Sequence, residues 1–557
     1  MKLSGAEIII ACLKEQKVDT VFGFPGGAVL HIYDSLYKHR HEINHILTSH
    51  EQGASHAADG YARVTGKVGV VFATSGPGAT NLVTGLATAY MDSIPMVAIT
   101  GNVPTSLLGK DSFQEVDISG ITMPITKHNY IVKDVKDLAF IIREAFDIAR
   151  SGRPGPVLID VPKDITSDIC EYKEEKINLD ATFTNKYTSR DLEKTVKMIR
   201  DAKNPMAYLG GGVMLGKAQG EVKQFLDHFD IPAGVSLMAY GAIDSADPRF
   251  CGMIGMHGSR VSNIAVSNCD LLIVIGARFS DRVISKASEF AKNARILHID
   301  VDPAEINKNI ATHHHVIGNV KEILEALNTL QKEDITHTQW MKQIARWKVE
   351  HAMRIAGETK RPYEVLTALR EVAPDDTVIV TEVGQHQMWA GQFYRHTPAG
   401  KFLTSGGLGT MGYGTGAAIG AQFGDLKRRV VNVAGDGSFK MNCNELATIS
   451  RYRLPVIILI MNNHTLGMVR QWQTFFYDNR YAETTLDTEI DWIALAQAYG
   501  VKGMKLTEQD DPKTVLDEAF SYGTPVVIDC EIPIDNKVFP MVAPGSSIED
   551  MIDEVEI

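Results

Sequence analysis

The 557 residues exceed what one hydrophobic core supports and correspond to about three domains of 150–200 residues. Hydrophobic residues make up 44% and charged residues 22%, the balance of an ordinary globular protein. A formal net charge of −12 with a pI near 5.9 excludes the basic face that a nucleic-acid or anionic-membrane surface needs.

The N-terminal stretch MKLSGAEIIIACLKEQKVD mixes charge into its apolar run, which predicts an amphipathic helix rather than a signal peptide. No apolar run reaches the ~18 residues that cross a bilayer, and PVIILIM at 455–461 has the length of a strand. VDTVFGF, INHILTS, VGVVFAT, MVAIT and PVLIDV read as buried strands, with helix-like segments such as HEQGASHAADGYARVTG between them. A charged, poorly periodic stretch around 165–188 reads as a linker. A second set of strands follows in MAYLGGG, LLIVIGA and ARILHIDV, then a polar, helical second linker at about 331–361. The last set is DTVIVTE, RVVNVAGDG, PVIILIMNN and PVVIDCEI. Short apolar, β-branched runs alternating with helical periodicity predict an α/β fold of three doubly wound parallel-sheet domains, at 1–165, 189–331 and 362–557. The scattered Cys12, Cys170, Cys251, Cys269, Cys443 and Cys530 form no CxxC pair, which predicts buried free thiols and a reducing, cytoplasmic location. The adjacent His313, His314 and His315 do not converge easily on a metal and read as a solvated loop.

The strand RVVNVAG ends in Gly435-Asp436-Gly437, and the next strand ends in Asn462-Asn463. In an open parallel sheet, ligands bind beyond the carboxyl ends of strands. The glycines let backbone N–H groups approach a phosphate, Asp436 supplies a hard oxygen for Mg²⁺, and Asn463 offers an amide oxygen to the same ion. Either piece alone reads equally as a tight turn; the strand–helix–strand spacing makes the pair specific. Glu51 ends one strand and opens a helix among small residues, Gly53 and Ala54. That placement shields a carboxylate from water and suits it to proton exchange, although an acid at a helix N-terminus is also favoured by the dipole. In the middle third, MAYLGGGV, GMHGSRVSN, GARFSDRV and HIDVDPAEIN place glycines or polar groups just after strands, as dinucleotide sites require and as plain turns also do.

With GDG and NN in place, the chain resembles the thiamine-diphosphate enzyme family. The resemblance runs over essentially its whole length through FGFPGGAVLHIYDSL, SHEQGASHAADGYAR, TSGPGATNLVTGLATAYMDSIPMVAITG, FQEVDI, RPGPVLIDVPKD, GARFSDRV, VGQHQMWA, NNHTLGMVRQWQ and VFPMVAPG. Within that family it is closest to the catalytic subunits of the acetolactate (acetohydroxyacid) synthases. The resemblance implies pyrimidine-binding, central FAD-binding and diphosphate-binding domains, and three cofactors: thiamine diphosphate, Mg²⁺ and FAD. It implies a transferase of branched-chain amino-acid biosynthesis. Such an enzyme decarboxylates pyruvate and condenses the hydroxyethyl unit with pyruvate or 2-ketobutyrate.

The implied site residues follow motif by motif. Glu51 is implied to hydrogen-bond a ring nitrogen of the aminopyrimidine across a subunit interface, so the active unit is a homodimer or tetramer. Gly26 and Gly27, with Ala28, form a backbone wall against the cofactor; Val383, Gln385, His386, Gly435, Gly437 and Ser438 lie at the diphosphate end. Met411 props the cofactor in its bent shape, Met468 lines the pyrimidine pocket, and Thr465 gives a backbone carbonyl to Mg²⁺ beside Asp436 and Asn463. Arg282 is the implied carboxylate binder and Trp472 the residue favouring 2-ketobutyrate, while Phe113, Gln114 and Lys163 match pocket positions. FAD is implied to meet Arg153, Gly210, Gly211, His257, Gly258, Gly276, Arg278, Asp300 and Asn319. A small regulatory subunit is an implied partner, alongside the 2-keto acids and without nucleic acid or membrane.

Two rivals share part of this pattern. A pyruvate oxidase-like enzyme would use flavin as its electron acceptor, against which Arg282, Trp472 and Gln114 argue; a catabolic acetolactate synthase would lack the flavin set. The chain departs from the family at GYGTGAAIGA, where Thr415 and Gly416 replace Leu-Pro. Losing that proline predicts a looser turn near Met411.

Overall fold

The computed structural model describes residues 1–180, 183–331, 334–352, 357–486 and 490–553. The first third supplies strands β1 (Thr20–Gly23), β2 (Asn44–Leu47), β3 (Gly69–Ala73), β4 (Met96–Asn102), β5 (His128–Ile131) and β6 (Pro156–Pro162). The middle third supplies β7 (Pro205–Leu209), β8 (Ala233–Val235), β9 (Phe250–Met253), β10 (Leu271–Ile275), β11 (Arg295–Asp300) and β12 (His314–Ile317). The last supplies β13 (Val378–Thr381), β14 (Lys401–Leu403), β15 (Val430–Gly435), β16 (Val456–Asn462), β17 (Lys502–Leu506) and β18 (Val526–Glu531). Each set forms one six-stranded sheet whose pairs are all parallel. Central strands such as β3, β10 and β16 are buried throughout, which is why they read as continuous apolar runs.

The strand orders carry functional information. The outer sheets share one plan, β2-β1-β3-β4-β6-β5 and β14-β13-β15-β16-β18-β17. Their order reverses between β1 and β3, and between β13 and β15. The middle sheet runs β9-β8-β7-β10-β11-β12, which is the 3-2-1-4-5-6 arrangement of dinucleotide-binding sheets, reversing between β7 and β10. Ligands of such sheets sit at the carboxyl side of the reversal, where neighbouring loops diverge.

Helices fix how the thirds meet. α1 (Gly5–Glu15) starts at Ser4, whose side chain forms a reciprocal capping box with Glu7, and it buries Ile8, Ile9, Cys12 and Leu13 against the first sheet. α2 (Glu51–Thr65) belongs to the first third, α3 (Thr338–Glu350) follows the middle sheet, and α4 (Gly414–Gly424) belongs to the last third. α2 and α4 touch backbone to backbone: a Cβ at Gly60 would overlap the Ala417 carbonyl, and one at Gly420 the Ala57 carbonyl. A glycine inside a helix costs about 0.5–1 kcal/mol relative to alanine; the close contact it permits joins the outer sheets in one core that includes Phe22, Ala57, Val380 and Ala417. A buried polar network spans the same seam. Arg63 donates to Asp59 (2.6 Å) and Asp92 (2.9 Å), Tyr413 Oη donates to Asp59 (2.6 Å), and Gly407 N–H donates to Asp92 (2.7 Å).

Three expectations change here. His314 and His315 lie in edge strand β12 rather than in a loop; His314 is buried, and its Nε2 lies 3.0 Å from the Asp191 carbonyl. The stretch at 331–361 is not merely a spacer, because α3 packs on the middle sheet with Trp340 and Ile344 buried and Trp340 Nε1–H donating to the Pro205 carbonyl at 2.8 Å. The start of the stretch at 165–188 is likewise ordered, since Ile169–Glu171 pairs antiparallel with Lys2–Ser4. Of the cysteines, Cys12, Cys251, Cys269 and Cys530 are buried, Cys170 and Cys443 half-buried, and all are unpaired. No helix among the described residues is long and apolar enough to cross a membrane.

Candidate active site

The last sheet's reversal point gathers the GDG turn, Asn463 and the Gln385–His386 pair. β15 runs straight into α5 (Asp436–Asn442), so Asp436 is both strand exit and first helical residue. The backbone amides of Gly437 and Asn463 pull its carboxyl down, and burial nevertheless pushes it up to about 6. Oδ1 is buried with no partner. A buried, half-satisfied carboxylate at a phosphate-sized turn fits a divalent cation, whose charge would offset that desolvation. Asn463 Nδ2 donates to Gln385 Oε1 at 3.1 Å, and its Oδ1 accepts Thr465 N–H at 3.3 Å. Thr465 turns its hydroxyl away, donating to the Thr484 carbonyl at 2.6 Å, which leaves only its backbone for a ligand. Ser438 Oγ is engaged inside the turn, with the Gly435 N–H (3.2 Å) and carbonyl (3.1 Å). His386 is buried and neutral, pushed down to about 3 by desolvation, and its Nε2 has no partner. Two unpartnered buried polar atoms, Asp436 Oδ1 and His386 Nε2, thus face the end of this sheet where a diphosphate and its metal would fit.

Val383 and Met411, both half-buried, flank a residue the sequence reading passed over. Glu382 is fully buried, raised to about 7 by desolvation, and accepts N–H bonds from Gly412 (2.8 Å) and Thr415 (3.1 Å). Thr415 Oγ1 also reaches Glu382 Oε1 at 3.4 Å. The Thr415–Gly416 departure thus brings one tie that the family's leucine would lack, the Thr415 hydroxyl on a buried carboxyl, one residue before the glycine that stands in place of proline.

The first sheet's reversal point holds Gly26, Gly27 and Glu51. Glu51, 8% exposed, opens α2 beyond β2. Asn81 Nδ2 donates to its Oε2 at 2.9 Å, and Gly78 and Thr74 pack beside it. Asn81, Thr74 and Gly78 all lie in TSGPGATN, a segment visible in the sequence as a glycine-rich strand exit. Gln114 sits in the left-handed region at φ 59° with its backbone against Gly76, close to this cluster, whereas Phe113 is 89% exposed and Lys163 projects from the start of the helix Lys163–Ser167.

A third group joins the middle and last thirds. Arg282, which follows β10, places its guanidinium carbon 5.9 Å from the Trp472 ring centre, and its Nη1 lies 3.8 Å from Met256 Sδ. The side chain is 61% exposed. Trp472 and half-buried Met468 lie on α6 (Gly467–Phe476). Gln471, also on α6 and unremarked in the sequence, accepts from Gln385 Nε2 at 3.0 Å and from Val538 N–H at 2.9 Å. Asn463, Gln385 and Gln471 thereby form a hydrogen-bonded line from the GDG turn to the residue beside Trp472.

At the middle reversal point, Gly210 follows β7 and Gly276 follows β10. A Cβ on Gly210 would overlap the Gly276 carbonyl, so these glycines serve strand packing directly. Asp300 ends β11, next in the sheet, and Gly211 begins a short helix. His257 is held neutral, pushed down to about 4 by burial, with Nδ1 unpartnered; Gly258 closes its turn on the Gly255 carbonyl at 2.9 Å. Arg278 approaches Gly407 of the last third. Arg153 pairs with Glu305 at 2.8 Å, and Asn319 caps the helix Val320–Leu330. The reversal point, Asp300 and the open His257 nitrogen fit a dinucleotide; Arg153 and Asn319 are engaged in protein contacts.

Sequence comparisons agree with this geometry. Residues 3–121 match the N-terminal TPP binding domain of thiamine pyrophosphate enzymes, 192–327 their central domain, and 382–530 their C-terminal TPP binding domain. The chain is 45% identical to the acetolactate synthase large subunit of Cyanidium caldarium, over 99% of this chain and 96% of that protein. It is 43% identical to the acetolactate synthase isozyme 2 large subunit of Escherichia coli (strain K12), over 99% of this chain and 100% of that protein. A third relative, the acetolactate synthase large subunit of Parasynechococcus marenigrum (strain WH8102), is 46% identical over 99% of this chain and 91% of its own length.

Proposed function

Because this chain belongs to the thiamine pyrophosphate enzymes, alongside acetolactate synthase large subunits, we propose that it is the catalytic subunit that joins two 2-keto acids. Two pyruvates give 2-acetolactate and CO₂; pyruvate and 2-ketobutyrate give 2-aceto-2-hydroxybutyrate and CO₂. Bound thiamine diphosphate supplies the nucleophile and electron sink for decarboxylation and carbon–carbon bond formation.

The chain's own residues bind, orient and move protons. Asp436, Asn463 and the Thr465 carbonyl hold Mg²⁺, while Gly435, Gly437, Ser438, Val383, Gln385 and His386 surround the diphosphate. Glu51 exchanges a proton at its carboxylate with a pyrimidine nitrogen, from a shielded position steadied by Asn81. Gly26 and Gly27 wall the cofactor, and Met411 and Met468 shape its pocket. Arg282 takes the carboxylate of the acceptor acid, and Gln114, Lys163 and Phe113 complete the pocket from the first domain. FAD would sit at the middle sheet's reversal point, held by Gly210, Gly211, Gly276, Arg278 and Asp300 with His257 and Gly258 beside them; Arg153 and Asn319, engaged with Glu305 and a helix start, would have to exchange those contacts to join. We assign the active unit as at least a dimer, supported by the exposed apolar side chains on either side of Gln114: Leu107 before it, Phe113 adjacent to it, and Met123 in a 3-10 turn after it. A small regulatory subunit and a cytoplasmic location complete the proposal.

The observation that carries it is the pairing of Arg282 with Trp472. A cation for a carboxylate stands beside an aromatic wall for one extra methyl, and Gln471, the chain neighbour of Trp472, is tied through Gln385 to Asn463. The decisive assay is incubation with pyruvate, thiamine diphosphate, Mg²⁺ and FAD. Acetolactate and CO₂ are expected; oxygen consumption and hydrogen peroxide without acetolactate would make the chain an oxidase, and acetolactate with no flavin retained would make it the catabolic type. Trp472→Leu is expected to lower the preference for 2-ketobutyrate over pyruvate about tenfold, because one methyl contact in an apolar pocket contributes ~1–3 kcal/mol. Competition between the two acceptors reads this out, and an unchanged product ratio removes Trp472 from the acceptor pocket.

A further inference from the structure

The residues that place Glu51 come partly from the other end of the chain. β2 is the edge strand of the first sheet; Thr48 N–H still donates to the Gly23 carbonyl of β1 at 3.4 Å, whereas the N–H groups of Leu47, Ser49 and His50 donate outside that sheet. The last third supplies their acceptors. Tyr452 Oη accepts Leu47 N–H at 2.9 Å. Glu445 accepts Ser49 N–H on both carboxylate oxygens at 3.1 Å, and His50 N–H on Oε1 at 3.0 Å. Ser49 Oγ donates to the Asn444 carbonyl at 3.0 Å.

Glu445 is fully buried, and Thr448 Oγ1 donates to its Oε2 at 2.6 Å, so both oxygens are aimed. Burial raises this carboxyl, while the Thr448 hydroxyl and the Ser49 and His50 amides pull the other way. Its approach depends on Gly53, where a Cβ would overlap Oε1. Glu445 closes the short 3-10 turn Cys443–Glu445, which directly follows α5 and the GDG segment.

We infer that Glu445 is a positioning residue that fixes the carboxylate of Glu51, by anchoring the two amides immediately before it to the segment that carries Asp436. The inference rests on the reading of Glu51 as the proton-exchanging acid. A carboxylate accepting backbone N–H bonds makes stronger and shorter bonds than a neutral acceptor, and the final residues before a helix decide where its first side chain points. A displacement of about 1 Å at a reacting group can cost on the order of 10²-fold in rate.

Two variants test this from opposite sides. Glu445→Gln keeps the shape and removes the charge; Gly53→Ala leaves Glu445 intact and drives its carboxylate away. In both, hydrogen exchange at Ser49 and His50, measured on the full chain without cofactor, is expected to quicken at least about tenfold. With thiamine diphosphate saturating, kcat is expected to fall about 10- to 100-fold, while the Kd for thiamine diphosphate, read by fluorescence titration, stays within about twofold. A general loss of fold would move both quantities together. Unchanged exchange at 49–50 overturns the clamp, and faster exchange with unaltered kcat overturns its positioning role. Failure of the parent chain to form acetolactate would sink the proposed function alone, since the exchange measurement on the same variants still decides whether the clamp exists.

Discussion

Glu51→Gln is expected to lower acetolactate formation by about 10²–10⁴-fold, the contribution of a positioned acid or base, while thiamine diphosphate still binds. The geometry makes the substitution clean. Asn81 Nδ2 donates to one oxygen of Glu51 at 2.9 Å, and the amide oxygen of glutamine can accept that bond in the same rotamer. Gly78 and Thr74 leave space for the isosteric side chain. What disappears is the capacity to take and return a proton at a site only 8% exposed, where water cannot readily substitute. In the proposed function the cofactor is held mainly elsewhere, at the GDG turn and Gln385–His386, so fluorescence titration with thiamine diphosphate should give nearly the parent value. Near-normal turnover in this variant would remove Glu51 from the proton-exchange role and leave it a helix N-terminal acid.

The parts of this site that were legible in the sequence are those whose chemistry is local. Gly435-Asp436-Gly437 and Asn463 are readable because a strand exit that approaches phosphate needs particular residue types at consecutive positions. Central strands were readable because burial on both faces gives uninterrupted apolar runs. Of the edge strands only β2 was read, from INHILTS; β5, β9, β14 and β17 are short or half-exposed, and β12 begins with histidines. Strand order was invisible too, and it is strand order that sets both glycine-rich exits of the middle third at one reversal point. Glu382 and Glu445 stayed hidden for another reason. Each satisfies backbone amides distant in sequence, Gly412 and Thr415 for one, Ser49 and His50 for the other, and backbone amides leave no trace in side-chain pattern. Thr415 shows the same limit in reverse. By propensity the glycine that follows it, standing where the family has proline, weakens a turn, yet the Thr415 hydroxyl adds a tie to buried Glu382 that no propensity scale shows. The proximity of Arg282 to Trp472 followed from resemblance, and nothing in either local sequence announces it.

Asp436→Ala is expected to abolish Mg²⁺-dependent retention of thiamine diphosphate while leaving the empty chain about as stable as before. The two effects part because the carboxylate is poised for a ligand and poorly served without one. Burial pushes it up to about 6 despite the pull of the Gly437 and Asn463 amides, and Oδ1 has no protein partner. Removing it relieves that desolvation but gives up the favourable pull of the two amides, and each such change at a buried polar group is worth about 1–3 kcal/mol. These opposing terms are of similar size, so the melting temperature of the cofactor-free protein should move by only a few degrees. The ligand side has no such cancellation. Loss of the one charged oxygen in the set with Asn463 and Thr465 should weaken Mg²⁺ binding by more than the 10–100-fold typical of changes outside the ligand shell. A ligand present at 100 times its Kd stabilises by ~2.7 kcal/mol, and this increment should vanish from the melting curve recorded with thiamine diphosphate and Mg²⁺. Thiamine diphosphate retained after dialysis at the parent level would rule out Asp436 as the metal-bearing residue, whatever the variant's activity.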